Sequence, residues 1–233
     1  MIVLLVPYRD RPKQKQRFID HMTDFFNKRG ELFLIVIAEQ SDDNRPFNRG
    51  ATKNIAYRIA KQILESTNTI NYKDCLYVFQ DIDVLPISDQ CVYAIPNENT
   101  VYNPYGVKQC FAKISMTSAK VIESSNGFPN NYWAWGLEDV CYQARVDSHG
   151  FQTDRTHFQW LGSNEWWTEQ ADEEPSKAWP KGELADVKAA YDYEAVNRHT
   201  VWENGVSTVK YTVLDKKIPQ QNVIEVVVHL ESQ

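Results

Sequence analysis

Residues 75–83 read Cys75-Leu76-Tyr77-Val78-Phe79-Gln80-Asp81-Ile82-Asp83. An apolar run of strand length passes directly into two carboxylates spaced two apart, and on extended chain that spacing puts both on one face. Upstream, Ile2 to Val6 and Leu32 to Ala38 are further apolar runs, each read as a strand buried on both faces. Two helical periods separate the three runs. Residues 13–29 carry Phe18, Met22 and Phe25 or Phe26 on one face with Gly30 as the stop. Residues 48–65 repeat Ala51, Ile55, Ile59, Ile63 and Ala56, Ala60, Leu64 at helical spacing. Strand, helix, strand, helix, strand predicts βαβ units on a mostly parallel central sheet, an α/β fold. Ligands of such sheets bind outside the carboxyl ends of the strands. Here those ends are Pro7-Tyr8-Arg9, Glu39-Gln40 and Asp81-Ile82-Asp83.

The rest of the chain is less regular. Lys108 to Met116 reads as a strand, Ser118 to Ser124 as a short helix, and Glu138 to Ser148 as a helix ended by Gly150. Ser207 to Leu214 and Asn222 to Leu230 read as strands. Residues 160–185, rich in Trp, Glu, Pro and Gly, read as a long loop, and loops of that length are often functional. Six of the seven Trp fall between Trp133 and Trp179, so the aromatic excess is local.

The 233 residues, 42% hydrophobic and 24% charged, exclude a collagen-like, coiled-coil or largely disordered chain. A chain of this length buries roughly 70% of its unfolded surface and needs no disulfide or metal staple. A net charge of −6 argues against general nucleic-acid binding. The charge is uneven. Residues 1–60 hold eleven basic and seven acidic residues, whereas 165–194 hold three and nine, so the N-terminal part is the one suited to an anion. Cys75, Cys91, Cys110 and Cys141 form no CxxC pair and read as reduced core thiols. The N-terminal apolar run is too short to cross a membrane and lacks the features of a signal peptide. The expectation is a cytoplasmic protein without an integral membrane segment, although a soluble piece of something longer suits the composition equally.

Three features carry chemistry. Asp81 and Asp83 repel each other unless a cation lies beside them, and hard divalent ions such as Mg²⁺ or Mn²⁺ prefer oxygen ligands; the alternative is a solvated strand end. Arg9, Arg11, Lys13 and Lys15 are either a solvated helix start or a clamp for nucleotide phosphates. Residues 126–139 read Asn-Gly-Phe-Pro-Asn-Asn-Tyr-Trp-Ala-Trp-Gly-Leu-Glu-Asp. Either Glu138 and Asp139 complement a helix dipole while the aromatics pack, or a carboxylate base stands beside platforms for sugar rings.

Together these segments resemble the beta-1,4-galactosyltransferase family, glycosyltransferase family 7. The family's V-P-[FY]-R-x-R segment corresponds to Val6 to Arg11, its F-N-R to Phe47-Asn48-Arg49, and its D-V-D-type metal motif to Asp81-Ile82-Asp83. Its N-G-F-P-N-x-Y-W-G-W-G-x-E-D block corresponds to Asn126 to Asp139, with only Ala134 and Leu137 departing from the commonest pattern. Gly205 to Tyr211 is similar to its G-L-N-S/T-x-x-Y.

The resemblance implies the GT-A fold, a Rossmann-like nucleotide-diphospho-sugar transferase, with a UDP-sugar donor, Mn²⁺ and inversion at the anomeric carbon. It implies one catalytic domain over residues 1–233, with a UDP-sugar-binding half at 1–86 and an acceptor-binding half at 87–233. Pro7, Tyr8, Arg9 and Arg11 would hold UDP, with Phe47 and Arg49 at the uracil. Asp83 would bind the metal, Asp81 would lie near the donor sugar, and Trp135 would ride on a closing loop. Glu138 and Asp139 would contact the acceptor, with Asp139 as general base.

Two departures bear on specificity. The family's second metal ligand is a His that by spacing belongs near residues 163–169. No His is there; His157 is the nearest, and Glu165 and Glu169 are chemically able. Cys110 falls where galactosyl-transferring members carry Tyr, which implies room for the N-acetyl group of UDP-GalNAc. Trp160 to Trp179, Trp166 and Trp167 included, are expected to wall the acceptor, unless the loop packs on its own aromatics.

The function so read is metal-dependent transfer of galactose or N-acetylgalactosamine to a glycan or glycolipid acceptor, by a bacterial or viral type without a membrane anchor. The alternatives are an inactive carbohydrate-binding relative and a metal-dependent phosphoesterase using Asp81 and Asp83.

Overall fold

The structure, a computed structural model, describes residues 1–134, 136–171, 192 and 203–231. The first half alternates as the periodicity predicts: β1 (Ile2–Tyr8), α1 (Pro12–Lys28), β2 (Phe33–Gln40), α2 (Arg49–Thr67) and β3 (Leu76–Gln80). There follow β4 (Val84–Pro86), β5 (Thr100–Gly106), β6 (Ile114–Ser118), α3 (Ala119–Ser125) and α4 (Glu138–Ser148). Short strands β7 (Gln152–Asp154), β8 (Gln159–Trp160) and β9 (Trp167–Glu169) precede the hairpin β10 (Tyr211–Gln220) and β11 (Val223–Leu230).

Among the described residues, nine strands form one sheet in the order β10-β11-β2-β1-β3-β6-β5-β7, with β8 beside β5. β11, β2, β1 and β3 run parallel, and β6 pairs antiparallel with both β3 and β5. β4 and β9 form a separate antiparallel ladder. Alternate residues of β1 enter two cores. Ile2, Leu4 and Val6 pack with Phe18, Met22 and Phe26 of α1, while Val3 and Leu5 pack with Ala51, Ile55 and Ala56 of α2 and with Val121 and Tyr142. Burying each large apolar side chain contributes about 1.5–3 kcal/mol, so a strand apolar at every position is held from both faces. No helix among the described residues is long and apolar enough to cross a membrane.

Two expected strands are moved. Residues 107–113 are a turn, so the strand expected over 108–116 is confined to β6 at 114–118, and β5, at 100–106, precedes it unannounced. β5 hides from periodicity because it contains Asn103 and Pro104. The register slips between Tyr102 and Tyr105, where a proline is tolerated, and the buried Asn103 amide donates to the Ile114 carbonyl at 2.7 Å. The strand expected over 207–214 begins at Tyr211 and continues to Gln220. Of the loop expected over 160–185, the described part contains β9 and the end of β8; residues 172–185, Trp179 among them, lie outside the described residues.

Candidate active site

The carboxyl ends of β1, β2 and β3 gather most of the residues singled out in the sequence. Pro7 and Tyr8 end β1. The Tyr8 hydroxyl accepts a hydrogen bond from the Arg11 backbone N–H at 3.0 Å, and the Lys15 ammonium lies over its ring at 4.4 Å. Arg9 donates to the Arg45 carbonyl at 2.6 Å and meets Asp42 at 3.2 Å, on the loop after β2. Arg11 turns the other way and stands 3.8 Å from Asp83. The basic run is therefore split between two walls. Phe47 is buried, and its carbonyl accepts from the Ala134 N–H at 3.0 Å, which ties the β2–α2 loop to the 126–139 block.

Arg49, the first residue of α2, is placed among acids. Its guanidinium bonds Asp81 at 2.7 Å and also bonds Glu138 and Asp139. One turn on, at the i+4 position of the same helix face, the fully buried Lys53 reaches Asp139 at 3.0 Å and lies 3.8 Å from Asp81. Burial alone would lower the Arg49 pKa, but Asp139, Asp81 and Glu138 together hold it well above the ordinary value. Asp81 is pushed up by burial and pulled further down by Arg49, then Lys53, Lys113 and Arg11, so its carboxyl sits below the usual range. Glu138 goes the other way: burial raises it, Asp139 adds to the rise, and Arg49 and Lys53 offset only part. Glu138 and Asp139 together begin α4 and share the Arg49 guanidinium.

Asp83 faces a different cation. Lys113 donates to it at 3.0 Å and also bonds Glu169, which β9 sets opposite Val84 across the β4–β9 ladder. The Oδ1 atoms of Asp81 and Asp83 are buried and have no hydrogen-bond partner. Acceptor oxygens left open beside a carboxylate pair suit a hard divalent ion, which takes oxygen ligands and is often held by one or two carboxylates with ligand phosphates completing the shell. His157 does not join them. It is exposed, with its ring 5.7 Å from that of Trp166, and the described residues bring no group of three or more His, Cys, Asp or Glu to a common metal position. The geometry of the described residues therefore does not support the expected ligand role of His157.

The 126–139 block is built on buried amides. Asn54 of α2 donates to the Phe128 carbonyl at 2.7 Å and to Asn130 at 2.9 Å, and Asn48 donates to the Asn130 carbonyl at 2.6 Å. Asn130 in turn donates to the Gly205 carbonyl at 2.8 Å, docking the 205–211 segment beneath the block. Trp133 lies under the Arg45 guanidinium, 4.4 Å from its carbon; Trp135 lies outside the described residues. Cys110 is buried beside the acids, its thiol pushed up to about 11 by burial and by Asp139, so it is a neutral, compact side chain at the site. Trp167 is not an acceptor wall. It is 1% exposed and packs edge-on against Tyr93 at 5.7 Å in the core shared with α1, with Trp166 partly buried against the same core. Trp160, half exposed, is the Trp of this stretch that faces solvent among the described residues.

Lys53 and Lys113 escape the sequence reading. Lys53 carried a signal in its i+4 spacing from Arg49; Lys113 carried none, because its partners are 30 and 56 residues away.

Two family models match in succession: the N-terminal region of glycosyl transferase group 7 over residues 1–96, and the N-terminal domain of galactosyltransferase over residues 97–164. The chain belongs to glycosyltransferase family 7. This family 7 chain is 25% identical over 221 residues to Beta-1,4-galactosyltransferase 7 of Drosophila melanogaster, covering 91% of the chain and 63% of the relative. It is 30% identical over 154 residues to the Xylosylprotein 4-beta-galactosyltransferase of Caenorhabditis elegans, covering 62% and 50%. The family 7 chain thus spans between half and two thirds of the length of these relatives. Both are animal proteins, so the comparisons lend no support to a bacterial or viral type. The crystal structure of the Drosophila beta-1,4-galactosyltransferase 7 catalytic domain with xylobiose matches with a TM-score of 0.79 at 23% identity, over 100% of this chain and 94% of that one. A mutant of that enzyme with manganese, UDP-Gal and xylobiose matches at 0.76. The fold is GT-A, as the motifs implied.

Proposed function

We propose that this family 7 chain transfers galactose or N-acetylgalactosamine from a UDP-sugar to a sugar hydroxyl, with inversion and with Mn²⁺. The observation that carries the reading is the Arg49-bound group of Asp81, Glu138 and Asp139 at the carboxyl ends of the parallel strands, next to two open carboxylate oxygens. A divalent ion held at Asp83 would neutralise the negative charge that grows on the departing diphosphate. Arg11, beside Asp83, and Arg9, on the opposite wall, would bind phosphate oxygens as charge-assisted donors. Tyr8 and Phe47 supply the buried surface beside them.

Asp139 takes the acceptor proton. Both of its oxygens are engaged, one by Arg49 and one by Lys53, so a hydroxyl donating to Asp139 competes with a cation. Arg49 can yield because Asp81 and Glu138 remain as its partners. Glu138, held at the start of α4 by Arg49, is suited to hold an acceptor hydroxyl while Asp139 deprotonates it. The small Cys110 beside these acids favours UDP-GalNAc over UDP-Gal as donor. The xylose-containing names and ligands of the relatives make xylosides the first acceptors to try.

The test is release of UDP from UDP-Gal and UDP-GalNAc with Mn²⁺, in the presence of xylose, xylobiose, N-acetylglucosamine or glucuronic acid acceptors. Turnover with at least one pair is expected, faster with UDP-GalNAc, and Asp139→Asn is expected to lose more than a hundredfold in kcat while UDP still binds. UDP binding without turnover in any pair would favour the inactive carbohydrate-binding reading. Near-native transfer by Asp139→Asn would remove it as the base.

A further inference from the structure

The Lys113 ammonium sits where two carboxylates meet. It donates to Asp83 at 3.0 Å and to Glu169, and nothing about those acids is incidental to the backbone that carries them. β4 begins one residue after Asp83, Val84 is opposite Glu169, and the Gln170 N–H donates to the Asp83 carbonyl at 2.7 Å. Across the ladder Val84 pairs with Glu169 and Asp83 with Gln170, and it is the Lys113 ammonium that brings the Asp83 and Glu169 carboxylates to one point. Lys113 answers two carboxylates, with the Arg11 guanidinium 3.8 Å from Asp83, and the buried Oδ1 atoms of Asp81, nine-tenths buried, and of Asp83 have no hydrogen-bond partner. Lys113 occupies its position with φ +68°, the left-handed region that a non-glycine residue adopts at a cost in backbone energy. An ammonium held between two carboxylates occupies a cation position.

We propose that Asp83 and Glu169 are the two protein ligands of the divalent ion, and that Lys113 is a tethered competitor that must leave them for the ion to bind. The inference rests on the transferase reading above and adds to it a ligand and a gate. It makes the donor set all-oxygen, which suits Mn²⁺ or Mg²⁺. Lys113 leaves as the ammonium, so no proton is gained or lost by the exchange. Its departure costs the two charge-assisted bonds it makes, and metal affinity is correspondingly weak in the native chain.

The experiment is titration of Mn²⁺ into the full chain, stripped with chelator, by calorimetry and by loss of the free-Mn²⁺ electron paramagnetic resonance signal, with and without saturating UDP. Lys113→Gly, compatible with the left-handed backbone, is expected to bind Mn²⁺ at least tenfold tighter. Glu169→Gln is expected to bind at least tenfold more weakly, with Glu165→Gln and His157→Ala unchanged. Circular dichroism melts establish that each variant is folded. Equal Mn²⁺ affinity in native chain and Glu169→Gln, weaker binding by Lys113→Gly, or loss of binding in His157→Ala would each overturn the inference. If UDP binds yet Mn²⁺ binding ignores Glu169, the inference fails and the transferase reading stands; if neither UDP nor Mn²⁺ binds, both fall.

Discussion

Glu138 and Asp139 are neighbours in sequence, both buried, and share one guanidinium. Burial lifts the Glu138 carboxyl above its ordinary value, with Arg49 opposing and Asp139 adding to the rise. A carboxyl whose folded pKa exceeds its unfolded value of about 4.3 binds its proton more tightly in the folded chain. Its ionisation therefore withdraws stability as pH rises from about 4.3 through the raised folded value. Glu138→Gln keeps an acceptor for Arg49 and removes that dependence. The stability of the variant minus that of the native chain is expected to grow with pH across this window, measured by urea unfolding at several pH values. A difference that stays flat would mean that Arg49 fully offsets the burial. At this scale the sequence named the acids and missed their partners. Asp81, Glu138 and Asp139 stand out as paired carboxylates, but the resemblance puts Arg49 at the uracil, while the folded chain gives it these three acids.

The block that ends in those acids stores strain at a particular residue. Ala134, which replaces a glycine of the family's commonest pattern, has φ +87°, and Leu137, just before α4, has φ +67°. Left-handed backbone costs an L-residue about 1–2 kcal/mol. Ala134→Gly is expected to relieve that strain, less the extra unfolded-state entropy of glycine, for a net gain of up to about 1 kcal/mol. That corresponds to a rise in Tm of roughly 2–4 °C for a chain of this size, read by circular dichroism. A lower Tm would show that the Ala134 methyl group packs usefully. Other elements were legible to the degree that their signal was local. β1 to β3 and both long helices follow from apolar runs and periods, because an element buried on both faces must be apolar throughout. β5 was not legible: its Asn103 is made tolerable by the Ile114 carbonyl of a neighbouring strand, and its Pro104 by a slip of register with that strand.

Across the whole molecule, the segment around Gly205 closes the site's floor by docking on the start of the 126–139 block. The Val206 N–H donates to the Asn126 carbonyl at 2.8 Å, and a Cβ on Gly205 would overlap that carbonyl oxygen. Gly205→Ala must therefore push the 203–209 segment off the Asn126–Asn130 block, at about 1–3 kcal/mol for an overpacked contact. Asn130 would lose its Gly205 acceptor in the process. Reduced stability together with impaired transfer and retained UDP binding is the expected outcome, because the floor carries Glu138 and Asp139 whereas the wall near Arg9 and Tyr8 stands on β1. Native behaviour would show that the segment can shift without moving the acids. What the sequence by itself determined is the order of strands and helices, the carboxyl-end location of the site and the identity of its acids. Those follow from hydrophobic spacing and from motifs contiguous along the chain. Tertiary structure alone decided which cation each acid meets: Arg49 and Lys53 for Asp81 and Asp139, and Lys113 between Asp83 and Glu169. It also turned Trp167 inward. The reason is that charge pairing and burial are settled by strands and helices brought together from 30 to 90 residues apart, a distance over which local pattern carries no information.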